Sequence, residues 1–264
     1  MPDRRSAASG GTSARVVAFV SRPGVRSLLR GALSKRRGRL VVTRTLREFG
    51  ASFRAVGLVD AAFVDLGSPG EEGEQAAALA RDFPTVAFFG ITPFRAVDAS
   101  RIAVGAGLHF ADVVADGVDG PIIPHLVAIH AFSARFAAVF TEPPPALGLR
   151  AGLQLAAWRA LVGDAGHVVR TSELAKALGV TREHLSRTFS AGPAPGLKRL
   201  IDLVRLLVAA ELAKNPGYDT CDVARVLGFA SSSNLSATVQ RLVGTKASAL
   251  ASLRAVDVIA RLVG

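Results

Sequence analysis

Residues 171–189 read Thr-Ser-Glu-Leu-Ala-Lys-Ala-Leu-Gly-Val-Thr-Arg-Glu-His-Leu-Ser-Arg-Thr-Phe. Thr171 or Ser172 can cap a helix that carries Leu174, Ala175 and Leu178 on one face; Gly179 supplies the turn, and Thr181 caps the next helix. A small residue at Ala175 lets the two helices cross closely, while Leu185 and Phe189 point inward. This is the pattern of a helix-turn-helix. A second copy starts at Cys221: Cys-Asp-Val-Ala-Arg-Val-Leu-Gly-Phe-Ala-Ser-Ser-Ser-Asn-Leu-Ser-Ala-Thr-Val. Ala224 and Gly228 lie 49 positions after Ala175 and Gly179, after which the second turn is one residue longer and Leu185 aligns with Leu235. Between the copies, residues 197–213 carry a wide stripe of Leu197, Leu200, Ile201, Val204, Leu207 and Val208, which predicts a helix able to pack against both units.

Order and spacing in this C-terminal stretch resemble the DNA-binding domain of the AraC/XylS family over about a hundred residues. The matching phrases are Leu174 to Val180, His184 to Arg187 with Phe189, Ala224 to Phe229, and Ser232 to Leu235. The resemblance implies two reading helices in successive major grooves on one DNA face, set apart by the long helix. Helical position supports the assignment: with Leu185 and Phe189 inward, Arg182, Glu183, Ser186 and Arg187 project on the opposite side, where a groove-inserted helix meets base edges. Arg187 is the best candidate for direct readout, since a guanidinium makes paired hydrogen bonds to guanine. In the second unit the corresponding residues are Ser232, Ser233, Ser236 and Ala237. Ala237 stands where the family often carries a basic side chain and Val239 replaces its common phenylalanine, so this unit is expected to position the duplex through phosphate contacts more than to read bases. Because both readers and their connecting helix fall within it, the segment from about residue 143 is expected to bind duplex DNA alone.

The first half alternates apolar runs at 16–21, 40–43, 61–65, 85–90 and 110–114 with helix-like segments at 25–36, 49–56, 71–82 and 96–106, then a final helix over 122–140. Wholly apolar strands separated by helices predict a flavodoxin-like α/β fold with a parallel sheet covered on both faces. Segment order and size resemble the receiver domain of bacterial response regulators. That resemblance would make Asp65, at the end of the third strand, the phospho-acceptor. Other parts of that site are absent: Ser21-Arg22-Pro23-Gly24 stands where receivers place the acidic pair that holds Mg²⁺, and Val113-Val114-Ala115-Asp116-Gly117 has no lysine to meet an acyl phosphate. A degenerate pseudo-receiver is therefore expected, with Asp65 as an ordinary turn-capping aspartate. Gly105-Ala106-Gly107 lacks the third glycine of a nucleotide loop and reads as a turn. His125 and His130, five residues apart, lie on different helix faces and make no metal site.

Organisation follows from these readings: a polar tail over 1–14, a receiver-like domain over 15–140, a proline linker over 141–145, and the helix-turn-helix domain over 146–264, opening with a helix over 146–162. At 264 residues the chain is long enough for each half to bury its own core. Half its residues are apolar and a fifth charged, and its formal charge of +11 favours an anionic partner. Most of that charge is arginine, as a GC-rich genome would also give. Cys221 is the single cysteine, which excludes an internal disulfide and a cysteine-based zinc site and reads as a small buried apolar residue. No stretch reaches the roughly 18 apolar residues of a membrane span, and the apolar run behind Arg4 and Arg5 is too short for a signal peptide. A cytoplasmic protein is expected, with duplex DNA and RNA polymerase as partners, a homodimer contact through the N-terminal half, and no membrane, cofactor or catalytic residue. Two rival readings are a response regulator phosphorylated on Asp65 and an interaction module that has lost DNA binding.

Overall fold

Unbroken burial along the central apolar runs decides how the first half is layered, with both faces of the sheet covered. In the computed structural model, which describes residues 14–33, 38–167, 170–190 and 192–263, Val16 and Ala18 face one side of a sheet while Val17 and Phe19 face the other. The strands are β1 (Ala14–Phe19), β2 (Gly38–Thr43), β3 (Ala61–Asp65), β4 (Ala87–Thr92) and β5 (Asp112–Ala115), all parallel in the order β2-β1-β3-β4-β5. This is the flavodoxin-like order. Between them run α1 (Pro23–Ala32), α2 (Leu46–Ala55), α3 (Glu72–Ala78) and α4 (Ala99–Gly107). Strand β1 begins at Ala14, so the last residue expected in the tail is already in the sheet; residues 1–13 lie outside the described ones.

The expected helix over 122–140 is two helices, α5 (Ile123–His130) and α6 (Phe132–Val139), bent by 42°. The break is at Ala131, with extended backbone (φ −49°, ψ 140°), and it re-aims the chain. Ile123 and Val127 cover one sheet face with α1, whereas Phe132, Phe136 and Phe140 join the core on the other. Arg135 Nε donates to the His130 carbonyl freed by the break, at 3.0 Å. No proline or glycine marks the spot. Among the described residues, no single helix is long and apolar enough to cross a membrane.

The expected helix over 146–162 is likewise shorter. A 3₁₀ turn, Pro145–Leu147, ends at Gly148 in the left-handed region (φ 60°), and α7 (Gly152–Gly163) follows. The Gln154 side chain accepts from the amides of Arg150 and Ala151 and so fixes this late start. The remaining helices are α8 (Thr171–Ala177), α9 (Arg182–Ser190), α10 (Leu197–Leu212), α11 (Thr220–Val226), α12 (Ser232–Val243) and α13 (Ala255–Val263).

The first half buries one core of its own, from Val16 and Val25 to Ile123 and Val127, but the second core is shared across the two halves and not separate as expected. One cluster runs from Phe19, Phe53 and Phe88 through Phe136 and Phe140 to Trp158, Leu200 and Leu235. Polar contacts stitch the same seam. Tyr218 Oη donates to the Phe53 carbonyl at 3.0 Å, and its ring meets Phe83 edge-on at 5.0 Å. The Gly217 amide donates to Asp82 O at 2.8 Å, Arg54 Nε to Asp222 Oδ2 at 3.0 Å, and Thr85 N to Asn215 Oδ1 at 3.0 Å. Position 217 requires glycine by close approach, since a Cβ there would sit 2.5 Å from the Phe83 ring.

Candidate nucleic-acid interface

Each unit is a pair of short helices turned on a glycine. Gly179 (φ 66°) separates α8 from α9, and Gly228 (φ 65°) separates α11 from α12, the left-handed conformation that a side chain resists. Thr181 caps α9 as expected, its Oγ1 accepting from His184 N at 3.2 Å. Neither Thr171 nor Ser172 caps α8. Arg170 holds that position, its amide donating to Glu173 Oε2 at 3.2 Å, because helical geometry starts one residue earlier. In the second unit Asp219 caps α11 and Ser231 caps α12.

Leu174, Ala175, Leu185 and Phe189 are buried in the first unit, and Ala224, Leu235 and Val239 in the second. The opposite faces are free of the protein body. Arg182, Glu183 and Arg187 are exposed and Ser186 half-buried; Ser233 and Ala237 are exposed, Ser232 and Ser236 half-buried. Among the described residues, no ion pair engages Arg182, Glu183 or Arg187. An unpaired guanidinium on a convex helix face keeps its donor fork available for an incoming acceptor.

Helix α10 is buried along nearly its whole length and clamps the second unit by charge. Arg205 lies 3.7 Å over the Phe229 ring and donates to Leu227 O at 3.0 Å, while Arg241 of α12 donates to the buried Asp202 at 2.9 Å. Burial lowers the pKa of Arg205, against the pull of Asp202. The first unit is tied at its far end, where Gln154 Nε2 donates to Thr188 O at 3.0 Å.

A concavity of about 680 Å³ joins Ser232, Ser233, Ser236 and Ala237 to Thr220, Gln240, Thr245 and Lys246. Gln240 stands one helical turn after Ser236, so spacing alone could have found it. Lys246 follows Gly244 (φ 68°), beyond the helix, where a helical face gives no information. Cys221 lines this concavity and is exposed, not buried as expected, because Val223, Ala224 and Val226 take the inward face of α11.

Asp65, at the end of β3, is fully buried and already engaged. Arg22 grips it: Nε donates to Oδ1 and Oδ2 at 2.8 and 3.1 Å, Nη2 to Oδ1 at 2.6 Å, and the backbone amide to Oδ2 at 3.2 Å. The remaining nitrogen, Nη1, reaches Asp116 after β5 at 2.8 Å. Burial works against the Arg22 charge, but bonds and attraction from Asp65, with Asp116 adding, hold the guanidinium more basic than usual. A Cβ at Gly67 would come within 2.8 Å of that guanidinium, so the site is closed over it. Relative to a phospho-accepting receiver the charges are exchanged, with a cation after the first strand and an anion after the fifth. A divalent ion does not fit, because the cation's place against Asp65 is filled by a fixed positive side chain.

Residues 174–252 match the family model of a helix-turn-helix domain. The match spans both units and α10. Full-length FixJ from B. japonicum, a solved structure, is 11% identical, with a TM-score of 0.40 over 72% of this chain and 96% of that one. No curated protein matches the sequence.

Proposed function

We propose that the chain is a cytoplasmic, sequence-specific transcription regulator without enzymatic activity, divided at residues 141–145 into a pseudo-receiver and a DNA-binding domain. The single observation that carries this is the pair of outward, unpaired reading faces mounted on one buried helix, α10. Arg182, Glu183, Ser186 and Arg187 read bases, and Ser232, Ser233 and Ser236 hold phosphate. Duplex DNA is the partner, with RNA polymerase and a second copy joined through the N-terminal half.

Arg187→Ala should weaken binding to the preferred site by about 1–3 kcal/mol and flatten preference at one base position, the range for a lost bidentate contact. Ser233→Ala should cost less and act alike on all sequences. Binding to a randomised half-site library, with folding checked by circular dichroism, measures both; equal loss of specificity would reverse the ranking of the two units. Affinity of the full chain should also fall steeply with salt. A folded chain with no DNA affinity at low salt would leave only the interaction-module reading.

The Arg22 clamp supports the pseudo-receiver reading over phosphorylation of Asp65. Given acetyl phosphate and Mg²⁺, the protein should gain no phosphoryl mass. An adduct abolished by Asp65→Asn would instead establish a phosphorylated response regulator.

A further inference from the structure

A cleft of about 310 Å³ opens where the two halves meet, within the size range of small-molecule sites. Phe132, Phe136 and Phe140 form its apolar lining, with Thr85 on one side and Glu211 of α10 and Ala255 of α13 on the other. Val139, also in the lining, is 76% exposed, and Val256, next to Ala255, is 58% exposed. Large apolar side chains left in water beside a recess mark a surface that something apolar covers.

Charge narrows what that is. Arg135 belongs to the lining and gives its hydrogen bonds to neutral acceptors, Nε to His130 O and Nη2 to Thr85 O. Among the described residues no carboxylate pairs with it. Surrounding burial lowers its pKa, with no anion acting against that. Glu211 is already neutralised by Lys214 at 2.5 Å. The cleft therefore holds one uncompensated positive charge beside an aromatic wall, its Arg135 side chain still open to solvent and able to make a charge-assisted bond to an anion. A single guanidinium suits a monoanion better than a phosphate dianion.

We propose that this cleft binds a small apolar monocarboxylate, its carboxylate on Arg135 and its aromatic or branched hydrocarbon group against Phe132, Phe136 and Phe140.

The full chain carries its own reporter. Trp158, the single tryptophan, meets Phe140 edge-on at 6.3 Å. Titrating with 3-phenylpropionate and with 4-methylpentanoate should change Trp158 emission saturably and raise the melting temperature. The matching amide, 3-phenylpropionamide, should bind at least about tenfold more weakly, the cost of losing a hydrogen bond between charged groups. Arg135→Gln should reduce the acid to the amide's level, and Arg135→Lys, which keeps the charge, should preserve the preference. Equal binding of acid and amide, or no saturation by either acid up to about 10 mM, would overturn the proposal. The acid-to-amide comparison on the unaltered chain decides even where Arg135→Gln fails to fold. No DNA is used, so the outcome is independent of the regulator reading.

Discussion

Arg22→Ala should destabilise the folded chain by about 3–5 kcal/mol, the usual cost of leaving a buried charge without its partner. Asp65 has no exposed surface, and three of its four bonds with Arg22 come from the guanidinium. Removing that side chain also strands Asp116. Arg22→Lys should lose less but still clearly more than a surface change, since a point charge cannot reach both carboxylates as the planar fork does. Pairing Arg22→Ala with Asp65→Ala should recover part of the loss, because the charge then left without its partner, Asp116, is a partly exposed one and not the fully buried Asp65. Urea unfolding followed by Trp158 emission measures all three. A loss below about 1 kcal/mol for Arg22→Ala would mean that water satisfies Asp65 and that the clamp is a surface pair.

Trp158→Ala should cost a comparable amount, about 3–5 kcal/mol, as large-to-small changes at fully buried aromatics do. The indole is fully buried, and its Nε1 donates to Phe140 O at 2.8 Å. Trp158→Phe keeps most of the ring and orphans the carbonyl, for a smaller loss of about 1–3 kcal/mol. Phe140 belongs to the N-terminal half, so the damage should appear on both sides of the seam. Hydrogen exchange in Trp158→Ala should accelerate in β3 and β4 as well as in α10. Acceleration confined to the helical half would show two separately folding units. The same seam revises the expectation for the segment from residue 143: it would leave Trp158 without Phe140 and Tyr218 without Phe53 and Phe83. That segment should unfold at lower urea than the full chain.

Much of this architecture is written locally. Residues 61–65 appear as β3 with the bounds expected, and Gly179, Gly228 and Thr181 stand where turn and cap chemistry puts them. The inward set of Leu185, Phe189 and Leu235 follows from helical spacing alone. What could not be read depends on which surfaces meet. Periodicity marks Phe132, Phe136 and Phe140 as an apolar face, yet it does not reveal that this face leaves the sheet for Trp158, and so the break at Ala131 passes unseen. Arg22, Asp65 and Asp116 lie on three different strand ends, and only the sheet order brings them together. Seeing that the acids and the lysine were missing was within reach; seeing that their charges had been exchanged was not. Arg135 is one more arginine in a basic chain until its neighbours prove to be carbonyls.

A counter-ion carried on the backbone differs from one drawn from solution in supply and in lifetime. Arg22 faces Asp65 at an effective concentration set by the fold, so neither chelation nor depletion of divalent ions in the cell can empty the site. Tethered to the chain, Arg22 can rotate aside but does not diffuse away. While the clamp holds, both oxygens of Asp65 are engaged, so any phosphodonor would first have to displace Arg22.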